Sequence, residues 1–183
     1  MIRSFVAVDI PKFEKLLDLL SRLRSSGARL SVPKDESIHI TLKFLGDIPE
    51  SSVEKISESL GIIASRTNRF KAEIVGTGLF PNERAPRVLW VGLSDNGRLA
   101  EIAGEIDASM AAFRIPKEQR PFRPHVTIAR VKSMQGIDKA LRVLDDFRST
   151  SFGSFEVIDI RLKKSTLTPA GAIYEDLAVK NLM

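Results

Sequence analysis

Two histidines occur in the chain, and each opens the same short pattern: His39-Ile40-Thr41-Leu42 and His125-Val126-Thr127-Ile128. From average composition an apolar residue, a threonine and another apolar residue follow a given histidine about 1% of the time. Two such tetrads by chance are therefore roughly a one-in-ten-thousand coincidence. On a strand, residues i and i+2 share a face. His39 with Thr41, and His125 with Thr127, then make two polar faces, while Ile40, Leu42, Phe44, Val126 and Ile128 can enter a core. Two imidazoles and two hydroxyls around one small anion suit phosphoryl transfer. Imidazole titrates near pH 6.5, so one ring can accept a proton while the other, charged, donates one. Threonine hydroxyls can donate to the nonbridging phosphate oxygens. Nothing in this chemistry calls for a metal or cofactor, and two histidines without cysteine leave a zinc site short of ligands. A strand histidine also has an ordinary packing use, and β-branching favours threonine in any strand. The duplication is what favours a working pair.

Strands must carry these faces and helices must cover their backs. The spacing predicts strands over 5–10, 29–32, 38–45, 70–79, 88–93, 125–132, 155–162 and 172–179. Helical repeats lie between them. Phe13, Leu16, Leu17, Leu20 and Leu23 run to a stop at Gly27, and Val53, Ile56, Leu60 and Ile63 follow Ser51 and Glu54, which have capping-box spacing. Two further repeats use Leu99, Ile102, Ile106, Met110 and Phe113, then Ile137, Ala140, Leu141 and Leu144. A turn at Thr168-Pro169-Ala170-Gly171 leads into the last strand. Eight strands and four helices, with several connections too short for parallel crossovers, give an α+β fold with largely antiparallel sheets. The pattern nearly restarts after Asn96-Gly97 and no linker divides it, so residues 1–183 are expected to form a single domain of two pseudo-repeated lobes that fold together.

Composition limits the alternatives. A chain of 183 residues can bury roughly 70% of its extended surface without a metal or disulfide. No cysteine is present, which removes thiol nucleophiles, disulfides and cysteine-bound metal centres. No glycine-rich loop followed by Lys-Ser/Thr occurs, which argues against ATP use through such a loop. The formal charge of +5 modestly favours a polyanionic partner. No signal peptide and no run of about 18 apolar residues is evident, so a soluble, cytoplasmic protein without membrane contact is expected, with a monomer as the default state.

The tetrads resemble the HXTX signature of the two-histidine (2H) phosphoesterase superfamily. Phe5-Val6-Ala7-Val8-Asp9, His39 through Gly46, Gly78-Leu79-Phe80-Pro81, Arg87-Val88-Leu89-Trp90, His125 through Arg130, and Lys164-Ser165-Thr166-Leu167-Thr168-Pro169 are similar, in order, to the RNA 2′,3′-cyclic phosphodiesterases, also called 2′-5′ RNA ligases. The resemblance implies a bilobal fold, two antiparallel sheets each backed by helices, with the active-site groove between the lobes. It also implies hydrolysis of RNA 2′,3′-cyclic phosphate ends, tRNA fragments among them, to 2′-phosphomonoesters. His39 would be the proton donor to the 3′ oxygen, His125 the proton acceptor from water, and Thr41 and Thr127 would hold the phosphate. These roles exchange in the reverse, 2′-5′ joining reaction. A non-catalytic RNA-end binding module is a third reading. The family often has Trp about where Leu30 stands here.

Lesser candidates surround the pair. Lys43 shares the parity of His39 and Thr41 and can face the phosphate, or stand as a solvated lysine at the strand end. Arg130 has the opposite parity to His125 and needs a bulge or strong twist to reach the same site. Arg120 and Arg123, with Phe122 between them, could guide an RNA backbone while the ring stacks on a base, or form an ordinary solvated loop. Pro121 and Pro124 stiffen the approach to His125. Phe80 and Trp90 read as core or lobe-interface groups, with base stacking as the alternative. Lys163-Lys164 and Ser165-Thr166 border the groove or merely a sheet edge.

Overall fold

The computed structural model describes residues 1–169 and 171–183, so the expected 168–171 turn lies, at Ala170, outside the described residues. Nine strands appear among the described residues: β1 (Ile2–Asp9), β2 (Leu30–Ser31), β3 (His39–Ile48), β4 (Phe70–Phe80), β5 (Val88–Ser94), β6 (His125–Val131), β7 (Ser151–Val157), β8 (Asp159–Thr168) and β9 (Gly171–Asn181). Four helices accompany them: α1 (Glu14–Ser25), α2 (Val53–Ala64), α3 (Arg98–Ser109) and α4 (Ile137–Asp146). Each helix buries one apolar face, such as Leu16, Leu19, Leu20 and Leu23 of α1, which ends where Gly27 takes a φ of +80°. No capping box forms at Ser51 and Glu54. A 3-10 turn over Glu50–Ser52 runs straight into α2, and the Val53 N–H bonds to the Glu50 carbonyl instead.

All pairings are antiparallel, in the order β7-β4-β5-β6-β3-β1-β8-β9, with β2 beside β6. The two expected sheets are thus the two halves of one hydrogen-bonded sheet, joined at the single pair Ile40↔Val126. The strand expected over 155–162 is two strands, since β7 pairs with β4 and β8 with β1, at opposite ends of the order. Only Ile158 separates them in sequence, so the sheet curls until its ends meet. Backbone bonds from Leu182 to Ile158, Met183 to Thr67 and Arg69 to Met183 tie the closure.

Helices α2 and α3 back the β3-β1-β8-β9 half, while α1 and α4 pack together against the β4–β7 half. Each half therefore takes elements from both sequence repeats. The chain crosses repeatedly between halves, which is why no linker divides it. Leu30 packs against the apolar core.

Two bulges decide what faces the helix-free side. Thr41 stands opposite Ala7 and Lys43 opposite Val6, leaving Leu42 extra; Thr127 stands opposite Trp90 and Ala129 opposite Leu89, leaving Ile128 extra. Both extra residues lie three places after a histidine. Beyond each bulge the alternation reverses, so Lys43 turns back toward the helices and Phe44 and Arg130 turn outward. Phe44 is accordingly 59% exposed instead of entering the core.

Candidate active site

His39 begins β3 and His125 begins β6. The antiparallel pair Ile40↔Val126 sets His39 on the side of Thr127 and Thr41 on the side of His125. The two His-Thr faces are thereby related by a local twofold, with their polar groups on the helix-free face. Neither threonine hydroxyl bonds to protein among the described residues, which leaves both as donors.

Each imidazole is oriented by the backbone two residues earlier. His39 Nδ1 lies 2.8 Å from the Ser37 carbonyl, at the end of a 3-10 turn over Asp35–Ser37. His125 Nδ1 lies 2.7 Å from the Arg123 carbonyl. A carbonyl only accepts, so Nδ1–H donates in both rings and Nε2 is left to take or give a proton. Pro124 keeps Arg123 extended and so aims that carbonyl.

The ring environments differ. Phe5 and Tyr174 flank the His39 imidazole, with centroids 4.9 and 5.0 Å away, the second edge-on. Burial is the chief cause holding His39 below its ordinary titration range; Lys163 and Arg130 act in the same direction, against the Ser37 carbonyl and Asp9. His125 meets Phe80 edge-on at 5.3 Å, and Phe80 in turn packs on Trp90 at 5.3 Å. The indole lies so close over Gly78 that a Cβ there would come 2.2 Å from the ring, so the support of His125 requires glycine at 78.

The bulge at Ile128 supplies what parity denied to Arg130, which is exposed on the histidine face with no ion pair among the described residues. Lys43, expected at the phosphate, stands elsewhere. Its Nζ is buried on the helical side, 2.6 Å from Asp107 of α3 and 2.9 Å from the Pro116 carbonyl, because the Leu42 bulge reverses its face. Burial works to raise the Asp107 carboxyl, yet the Lys43 bond, the Glu118 N–H and the charges of Lys43 and Lys117 together hold that carboxyl below its ordinary range. Lys43→Met removes the buried ion-pair partner of Asp107 and leaves it the Glu118 N–H, and unfolding free energy measured in urea is expected to fall by about 3 kcal/mol. Catalytic rate per folded molecule should stay unchanged; a rate loss with unaltered stability would return Lys43 to the phosphate.

Arg120 and Arg123 are exposed, whereas Phe122 packs partly against the core, so it does not stand free as a stacking ring. Sequence reasoning overlooked Tyr174, Phe5 and Asp9 as neighbours of His39. Their strands were legible, but the register that sets them beside it was not. Two cavities, of about 320 and 380 Å³, lie beside β2 and between β4 and α4 and include neither histidine.

The model of the LigT-like phosphoesterase family matches twice, over residues 8–90 and 91–174. A protein of Aeropyrum pernix named RNA 2′,3′-cyclic phosphodiesterase is 39% identical over 86% of this chain and 92% of its own length. One of the same name from Archaeoglobus fulgidus is 37% identical over 97% and 98%. The crystal structure of a Thermus thermophilus protein superposes with a TM-score of 0.81 at 29% identity, covering 99% of this chain and 98% of that one. The fold is also that of Escherichia coli LigT complexed with 3′-AMP, with a TM-score of 0.76 at 21% identity over 100% and 98% of the two chains. With the family model matched over nearly the whole length and relatives this similar, the chain belongs to the LigT-like phosphoesterase family.

Proposed function

We propose that this protein hydrolyses RNA 2′,3′-cyclic phosphate ends to 2′-phosphomonoesters, tRNA fragments being candidate natural substrates, through a metal-independent acid/base pair. The observation that carries the reading is the matched tethering of the two imidazoles, each with Nδ1–H on a backbone carbonyl and Nε2 free. His125 Nε2 takes a proton from water as its oxygen bonds to phosphorus. The bond from phosphorus to the 3′ oxygen breaks, and His39 Nε2–H protonates that oxygen. Thr41 and Thr127, with Arg130, donate to the nonbridging oxygens as charge develops there. Burial and nearby cations favour neutral His39 in the free protein. A bound phosphate anion favours the protonated ring, so substrate itself loads the acid. The names of the relatives support the substrate class.

The test is turnover of an RNA oligonucleotide with a 2′,3′-cyclic phosphate end in the presence of a chelator, with the product isomers resolved. A 2′-phosphate product at undiminished rate is expected. A 3′-phosphate would reverse the bond cleaved, and loss of turnover under chelation would sink the metal-independent scheme. Supplying 5′-hydroxyl RNA in place of water tests joining at the same pair of imidazoles.

A further inference from the structure

The two halves of the site differ in one respect that the proton transfers above leave unused. Opposite His125, in β5, stands Gly92; opposite His39, in β1, stands Asp9. The Asp9 carboxylate lies 3.0 Å from Lys163 Nζ and 3.2 Å from Arg161. Both cations also share Asp176, at 2.6 and 2.8 Å, and Arg161 holds Asp159 at 2.9 Å. Register explains the convergence: Lys163 and Arg161 pair with Phe5 and Ala7 of β1, and Asp176 pairs with Lys163 across β8 and β9. Burial alone would raise the Asp176 carboxyl, yet Lys163 and Arg161 beside it hold it below the ordinary range. The Arg161 guanidinium is held still more firmly charged, first by its bond to Asp159.

Such a cluster has an ordinary use in stapling β1, β8 and β9. Its position argues for more. Lys163 is only 7% exposed, and a buried ammonium is tolerated only where well-placed carboxylates offset the cost of removing it from water. Here one of those partners sits directly across the ladder from His39, and the strand that brings Asp176 also brings Tyr174 onto the imidazole edge. The groups that face His39 are thus Asp9 from β1, Arg130 from β6, Lys163 from β8 and Tyr174 from β9, with Asp176 and Arg161 acting through Asp9 and Lys163.

We propose that Asp9, Lys163 and Asp176 are positioning residues for His39, a charge relay across three strands that sets its proton affinity separately from that of His125. The inference rests on the acid role given to His39. It makes a pseudosymmetric pair directional: of two imidazoles tethered alike, only one is backed by a cluster of three carboxylates and two cations, and changing a charge in that cluster shifts one histidine alone.

Because the chain has only two histidines, imidazole NMR of the full-length protein reads each ring separately as pH is varied. Asp9→Asn removes the carboxylate that favours His39⁺, so His39 is expected to titrate at lower pH than in the unaltered chain. Lys163→Met removes a cation that faces His39 and leaves Asp9 paired with Arg161 alone, so His39 should titrate at higher pH. Lys163→Arg keeps the charge and should restore the original titration. The His125 signal should not move in any of the three, and one limb of the kcat/KM profile should follow His39. Unshifted His39, or equal shifts of both rings, overturns the proposal whatever the activity. Opposite shifts of His39 in a protein that does not turn over cyclic phosphate ends would uphold the relay and defeat the hydrolytic reading instead.

Discussion

His39→Ala and His125→Ala are each expected to lower kcat on an RNA 2′,3′-cyclic phosphate end by about 10² to 10⁴-fold, the usual worth of a positioned proton transfer. Both histidines are only part-buried at the start of their strands, so truncation to alanine should leave the fold intact. The tether explains why the loss is not made good from solvent. Each Nε2 is fixed in direction by the carbonyl bound at Nδ1, and a water occupying the truncated site has no such constraint. The double variant should fall little below the worse single one, because base and acid act on the same pentacoordinate species and removing either leaves the other without a partner step. RNA binding should weaken less than rate. Rates unchanged in both single variants would move the protein to the RNA-end binding reading.

Arg130→Met comes second, with an expected loss of about 10² to 10³-fold, the range found when a donor to developing oxyanion charge is removed. The residue reaches the face only through the Ile128 bulge, and it is exposed there without an ion pair among the described residues. A planar guanidinium can hold two nonbridging oxygens at once, so Arg130→Lys should recover part of the rate and not all of it. A second consequence separates this role from general attraction to RNA. Since Arg130 also disfavours protonated His39, its removal should let that ring titrate at higher pH. Loss of RNA affinity with kcat intact would reduce Arg130 to a surface contact.

Much of this site was legible in the chain alone. Period-two alternation joins His39 to Thr41 and His125 to Thr127, and those local faces follow from backbone geometry alone. The helices were equally readable, because an amphipathic stripe of twelve residues is written continuously in the chain. Lys43 and Arg130 fared differently for one shared reason. Parity counting assumes an unbroken ladder, and an extra residue at Leu42 or Ile128 reverses the faces of the residues that follow it, Lys43 and Phe44 in β3 and Arg130 in β6. In isolation neither Leu42 nor Ile128 differs from a regular strand residue; the bulge exists because the neighbouring strand, Val6–Ala7 or Leu89–Trp90, offers one residue where two must fit.

Long-range register decided the remainder. The sequence by itself determined which residues can do chemistry and which pairs share a face, since both depend on neighbours two places apart. Only the tertiary structure decided that β3 meets β6 at Ile40 and Val126, that Asp9 stands across from His39 and Gly92 across from His125, and that β8 and β9 bring Lys163, Asp176 and Tyr174 to the first imidazole alone. Those contacts join residues up to 154 apart in the chain, and they are selected by how one curled sheet closes and buries its apolar back, a property of the whole fold that no local spacing encodes.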